Sequence, residues 1–191
     1  MGRDLMRQEE IRALVREAYR TAEGSSRRVA EKLYAPEELE LVPDVAADHA
    51  LGVGNHLASA ELRPGDVVLD VGAGAGIDTV LAAQRVGPQG RVLALDFLPE
   101  MLERTRAAAR AAGVGNVETV EAQMEAIPLP DACVDHVISN GALNLSPRKR
   151  RVLAECARVL RADGRLTVAD LTVQEEELPP EVLTHPAAWA G

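Results

Sequence analysis

Aromatic side chains are scarce in this chain: one Phe, one Trp and two Tyr among 191 residues. Its core must therefore be built mainly from Ala, Leu and Val, packed as small and branched shapes. Basic residues are outnumbered, with 21 Lys and Arg against 30 Asp and Glu and a net charge of −9. That balance excludes a nucleic-acid partner held through phosphate contacts, which needs a basic face. No apolar run approaches the roughly 20 residues of a membrane span. The opening Met1-Gly2-Arg3-Asp4 is charged and has no apolar signal core, so a cytoplasmic location is the default expectation. Cysteine is nearly missing too. Cys133 and Cys156 have no CxxC spacing and fall in apolar-patterned segments, which reads as two buried, inert thiols and no metal site. What remains is ordinary for a globular domain: 47% hydrophobic and 27% charged residues.

Within that composition one stretch stands out, Val67 to Asp96. An apolar run, Val67-Val68-Leu69-Asp70-Val71, is followed by Gly72-Ala73-Gly74-Ala75-Gly76 and then by helical periodicity. A second apolar run, Arg91 to Asp96, also closes on an acid. This predicts strand, tight turn and helix, then a second strand. A dinucleotide fingerprint needs G-x-G-x-x-G with pyrophosphate on the helix N-terminus. Here the pattern is G-x-G-x-G, Ile77 stands where the third Gly would be, and Asp70 precedes the glycines. Asp70 would repel a pyrophosphate and attract a cation. S-adenosyl-L-methionine (SAM) carries a sulfonium and an ammonium and no phosphate, and Asp96 could accept its ribose hydroxyls. SAM is thus the expected cofactor, with an NAD-binding domain as a weaker reading.

The chain otherwise alternates. A helix is expected over 4–20, a second over 27–33, a turn of helix at Pro36 and a short helix running into Leu62. Strands are expected at 66–71, 91–96, 117–121, 134–139 and 165–171. Helices should span about 77–86 and 99–112, and a third should open at Ser146-Pro147 with Val152, Leu153, Cys156, Val159 and Leu160 on one face. Ala162-Asp163-Gly164 should turn the chain into the last strand. The fold class is α/β, a Rossmann-like parallel sheet with helices on both faces. The expected division is a helical segment over 1–62, a SAM-binding domain over 63–173 and an acidic, Pro-rich tail over 174–191.

In open α/β sheets ligands lie beyond the carboxyl ends of the strands. Asp70, Gly72, Ala73, Gly74 and Gly76 would hold the methionine part, and Asp96 the ribose with Phe97 and Met101 beside it. Gln123 and Met124 would lie along the adenine, and Asn140 would face the methyl group and acceptor. Asp78 either contacts the cofactor or caps the helix. His56 is the candidate general base, with a surface or capping role as its alternative; His136 reads as a core histidine, and His49 and His185 carry no motif. Arg148 to Arg151 could greet an anionic substrate or simply form a solvated helix face.

Several segments together are similar to the arsenite methyltransferases, within the class I SAM-dependent methyltransferases. They are Leu33-Tyr34 with Glu37-Glu38-Leu39, Leu51-Gly52-Val53-Gly54-Asn55, Val68 to Gly72, Pro99-Glu100-Met101-Leu102, and Ile138-Ser139-Asn140 with Asn144-Leu145-Ser146-Pro147. The resemblance implies a SAM-binding domain that methylates trivalent arsenic held by thiolates. Where the family has cysteines this chain has Val53 and Gly141, and Ser25-Ser26 near its upstream pair. Neither Val nor Gly can donate to a soft ion. The class also implies seven strands ending in a hairpin, and five are placed here. The C-terminal hairpin is expected to be missing, with a second copy or a partner chain over the sheet edge. The expected function is methyl transfer from SAM to an unidentified small molecule other than arsenite; the alternative is a SAM-binding subunit without activity of its own.

Overall fold

The computed structural model describes residues 27–172, together with Ala13 and Arg16. The chain divides into two compact units, one of residues 25–170 and one of residues 1–24 with 171–191. Of the second unit, Ala13 and Arg16 are exposed and helical, and Leu171 and Thr172 are exposed. The rest of the helix expected over 4–20, the tail beyond 173 and His185 lie outside the described residues.

The first unit begins with three short helices, α1 (Arg27–Leu33), α2 (Pro36–Leu39) and α3 (Asp44–Ala47). A single 3₁₀ turn, His56–Ala58, stands where a helix into Leu62 was expected. Then β1 (Val67–Val71), α4 (Ile77–Val86), β2 (Arg91–Asp96), α5 (Pro99–Ala111), β3 (Val117–Glu121) and β4 (Val134–Asn140) alternate as the periodicity predicts. A second 3₁₀ turn, Leu143–Leu145, precedes α6 (Lys149–Val159) and β5 (Leu160–Ala169). All four pairings are parallel, in the order β3-β2-β1-β4-β5. The boundary expected at residue 62 falls inside this unit.

Three local expectations are corrected. The helix expected from Ser146 begins at Lys149, because the Ser146 hydroxyl donates to Glu125 Oε1 and accepts from the Arg148 amide. Leu153 is 46% exposed, and the buried face is Val152, Cys156 and Val159. Ala162-Asp163-Gly164 does not end a loop but sits within β5. Between the pairs Val134↔Leu160 and His136↔Arg165, β4 advances two residues and β5 five, so the turn signal is absorbed as a strand irregularity.

Both faces of the central strands β1, β2 and β4 are buried, as parallel strands require, while the outer strands β3 and β5 are more exposed. Val68, Val92 and Ile138 pack with α4, Ala108 of α5 and the N-terminal helices. Leu69, Val71, Leu93, Leu95 and Val137 pack with Val152, Cys156 and Val159 of α6. Alternate residues of one strand thus serve opposite layers. The largest fully buried side chains are Leu, Ile and Val, as the shortage of aromatics demands.

Candidate functional site

The carboxyl ends of β1, β2 and β4 meet at a turn that only glycine can make. Gly72 has φ +78°, and a Cβ there would fall 2.3 Å from the Ala142 Cβ, so the chain after β4 closes directly over this turn. Gly76 has φ +94°, with the Thr105 backbone 3.0 Å from where its Cβ would be. Gly72 and Ala73 donate backbone N–H bonds to the Leu95 carbonyl, and Thr105 Oγ1 donates to the Gly74 carbonyl at 2.9 Å. The turn is therefore fixed to β2 and α5.

Three acids are buried around it. Asp70 is 1% exposed and its Oδ2 accepts from Thr79 Oγ1 at 2.6 Å. Burial, reinforced by the charge of Asp78, pushes its carboxyl up to about 8, against the Thr79 hydrogen bond. Asp96 accepts from the Gly74 amide with Oδ2 and from the Leu98 amide with Oδ1, each at 3.0 Å. Burial still raises it, those backbone donors opposing. Asp78, in the first turn of α4, accepts from the Tyr34 hydroxyl at 2.8 Å and from Asn140 Nδ2 at 3.0 Å. It too is raised by burial, with His56 and these two hydrogen bonds pulling the other way. Gly76 is the N-cap of α4, so Asp78 faces the cluster instead of capping the helix.

His56 is buried, which removes the surface alternative. Its Nδ1 lies 4.0 Å from Asp78 Oδ1, and both ring nitrogens lack a hydrogen bond. Burial lowers its pKa, partly offset by Asp78. Asn140 does not project freely: Oδ1 accepts from the Val53 and Gly54 amides at 2.9 and 3.3 Å, and Nδ2 reaches the Gly54 carbonyl at 2.8 Å. Ala73 and Met101 are buried, Phe97 and Met124 half-buried, and Gln123 exposed. The segment carrying Gln123 and Met124 is tied to β2 by the Ala122 amide on the Asp96 carbonyl. His136 is a core histidine as expected, with Nε2 3.1 Å from Asp66 Oδ2, and His49 Nδ1 lies 3.2 Å from the Val45 carbonyl. In the basic run, Arg151 and Lys149 bond the carbonyls of Glu125, Asn144 and Ser146, which makes that stretch largely a tether of α6.

Sequence reasoning did not single out Tyr34, Thr79, Thr105 and Ser139 as site residues. Ser139 Oγ donates to the Val71 carbonyl and stitches the ends of β4 and β1 together. Tyr34 and Ser139 lay in segments that carry the family resemblance, and Thr79 follows Asp78 in a helix first turn; Thr105 had no signal.

The donors that the structure gives Asp70, Asp78 and Asp96 are hydroxyls, an amide side chain and backbone N–H groups, all neutral. Buried carboxylates so placed suit a ligand that brings positive charge. Asp96 keeps lone pairs for hydroxyl donors, because each carboxylate oxygen accepts more than once. The residues fit SAM, with its two cationic centres and its ribose.

A family model described as a methyltransferase domain matches residues 62–190. The chain belongs to the class I SAM-dependent methyltransferases. SAM is its cofactor. An arsenite methyltransferase of Halobacterium salinarum is 40% identical over 158 residues, covering 83% of this chain and 40% of that protein. The ubiquinone/menaquinone biosynthesis C-methyltransferase UbiE of Marinomonas is 36% identical, covering 70% of this chain and 54% of that one. The chain thus spans about half the length of these relatives. Among solved structures, an arsenic(III) SAM methyltransferase from Chlamydomonas reinhardtii is similar with a TM-score of 0.65 and 33% identity, over 87% of this chain and 55% of that one. A SAM-dependent methyltransferase from Aquifex aeolicus matches with a TM-score of 0.59 and 29% identity, over 81% and 78% of the two chains. The Rossmann-like fold and the relation to arsenite methyltransferases expected from sequence are borne out.

The arsenic half of that relation is altered. A Cβ on Gly141 would lie 3.4 Å from Val53 Cγ1, so the two positions where the resembled family carries cysteines face each other without a thiol. Cys133, half-buried where a buried thiol was expected, lies at the far end of β4 from Gly141, and Cys156 is buried on α6, its thiol pushed up to about 11 by burial. Among the described residues no group of three His, Cys, Asp or Glu could hold a metal, and no helix is long and apolar enough to cross a membrane.

Proposed function

We propose that this chain transfers the methyl group of SAM to a small organic acceptor other than thiolate-bound arsenite. The observation that carries the reading is the pair of buried acids, Asp70 and Asp96, at the ends of adjacent strands around the Gly72–Gly76 turn. Asp70 and the turn would hold the cationic end of the cofactor, Asp96 its ribose, and Phe97, Met101, Gln123 and Met124 its base. Asp78 and Asn140 would set the methyl-facing wall, with His56, its Nδ1 4.0 Å from Asp78, as the candidate general base. Methyl transfer needs mainly alignment and exclusion of water, because SAM is already activated. Val53 and Gly141 argue against a soft-ion acceptor, since no thiol faces that wall. The names of the relatives favour a catalytic reading over a module that only binds SAM.

The outer strand β5 has Leu166 and Val168 each 38% exposed, and we propose a second copy or partner chain along that edge. The deciding experiment for function is calorimetry with SAM and with NAD. Binding of SAM, lost in Asp70→Ala and Asp96→Ala with the thermal unfolding signal retained, is expected; no SAM binding at millimolar concentration would sink the reading.

A further inference from the structure

Asn140 serves more acceptors than it has protons. Its Nδ2 lies 2.8 Å from the Gly54 carbonyl, 3.0 Å from Asp78 Oδ2 and 3.1 Å from the Tyr34 hydroxyl, while a primary amide has two N–H groups. Its Oδ1 takes the Val53 and Gly54 amides. Gly52 allows this approach, since a Cβ there would fall 2.5 Å from Asn140 Nδ2. Tyr34 is 5% exposed and closes the ring by donating to Asp78 Oδ1. Loop 52–54, the residue following α1 and the first turn of α4 are thus gathered on one side chain at the end of β4.

The other side of the same loop is held independently. Arg85 of α4 bonds the Leu57 carbonyl and Glu38 Oε1, and Glu38 Oε2 accepts from Asn55 Nδ2. The base of the loop is fixed by this clamp, and the Val53–Gly54 tip depends on Asn140.

We propose that Tyr34 and Asn140 are positioning residues that couple closure of the 52–54 loop to cofactor binding through Asp78. The consequence rests on the SAM reading above. Positive charge taken up at Asp70 would also draw on the Asp78 carboxylate, which already interacts with Asp70, and would weaken its hold on the Asn140 amide. The two amide protons of Asn140 then suffice for the Gly54 carbonyl and the Tyr34 oxygen, and the loop tip tightens. A side chain that only props the loop would protect it equally with and without SAM; a coupling residue protects it more when SAM is bound, and the affinity for SAM falls when the coupling is cut.

Amide hydrogen exchange at Val53 and Gly54, with and without SAM, reads this directly, alongside SAM affinity by calorimetry. In the wild type SAM should slow exchange at both amides about tenfold, on the scale of ordinary coupling energies. Asn140→Asp keeps an acceptor for the two amides but removes the donors and sets a carboxylate against Asp78; Tyr34→Phe keeps the ring and removes the hydroxyl. Both variants should lose the SAM-dependent slowing and bind SAM about tenfold more weakly, and either alone decides the case if the other does not fold. SAM-dependent slowing that survives in a folded variant overturns the proposal, as does its loss with unchanged affinity. Failure of the wild type to bind SAM overturns the cofactor reading and the coupling with it. Binding without slowing at Val53 and Gly54 overturns the coupling alone.

Discussion

At the scale of single residues, Asp70 meets the Thr79 hydroxyl and sits under the repulsion of Asp78 in a fully buried position. Folded, it holds a proton up to about pH 8; its ordinary value is 3.8. A carboxyl raised by folding contributes stability that is complete below the unfolded value and is lost as pH climbs through the folded one. The ligand-free protein should therefore lose stability between about pH 4 and 8, and Asp70→Asn should flatten that slope, as urea midpoints at pH 5 and 7.5 would record. Thr79→Val removes the hydrogen bond that favours the charged form and should cost about 1–3 kcal/mol at pH 8, where the carboxylate needs its donor most. Asp70, Asp96 and Asn140 could be picked out from the sequence because each lies at, or just beyond, the carboxyl end of an expected strand. Tyr34 was visible only as part of the family-like Leu33-Tyr34 segment and its role was not, since nothing local distinguishes a tyrosine that packs from one that donates to Asp78, 44 positions away.

At the scale of elements, the β1–turn–α4 unit was the most legible part of the chain. Strand bounds match to one residue and the helix to none, because a change from continuous apolar residues through glycines to helical spacing is a local signal. The glycines divide by what surrounds them. Gly72→Ala drives a Cβ against Ala142 at a positive φ and should cost about 3 kcal/mol or more. Gly74 has φ +54° and open space around it, so Gly74→Ala should cost only about 1 kcal/mol of conformational strain. Thermal unfolding of the two variants tests the difference, and equal losses would refute it. The start of α6 and the course of β5 were misjudged for one reason. Ser146 is claimed by Glu125, 21 positions away, and the Ala162–Gly164 turn is taken up as an irregularity of β5 between its paired residues Leu160 and Arg165. Tertiary partners outbid local preference at both places.

At the scale of the whole molecule, the two layers divide the labour. The α6 face supplies apolar packing, and the face with α4 and the N-terminal helices carries Tyr34, His56 and Asp78 over the strand ends. The purified chain should show no arsenite methylation above background while binding SAM, and methylation detected by arsenic speciation would refute the argument from Val53 and Gly141. The sequence by itself determined the fold class, the cofactor and the ring of acids and glycines, because each is written in contiguous residues whose spacing matches a strand, a turn or a helix. Only the tertiary structure decided that Asn140 clasps the 52–54 loop, that Val53 meets Gly141, and that His56 lies buried beside Asp78. Those relations join residues 22 to 88 positions apart, by arithmetic on their numbers, and they exist only once parallel pairing has brought the strand ends together.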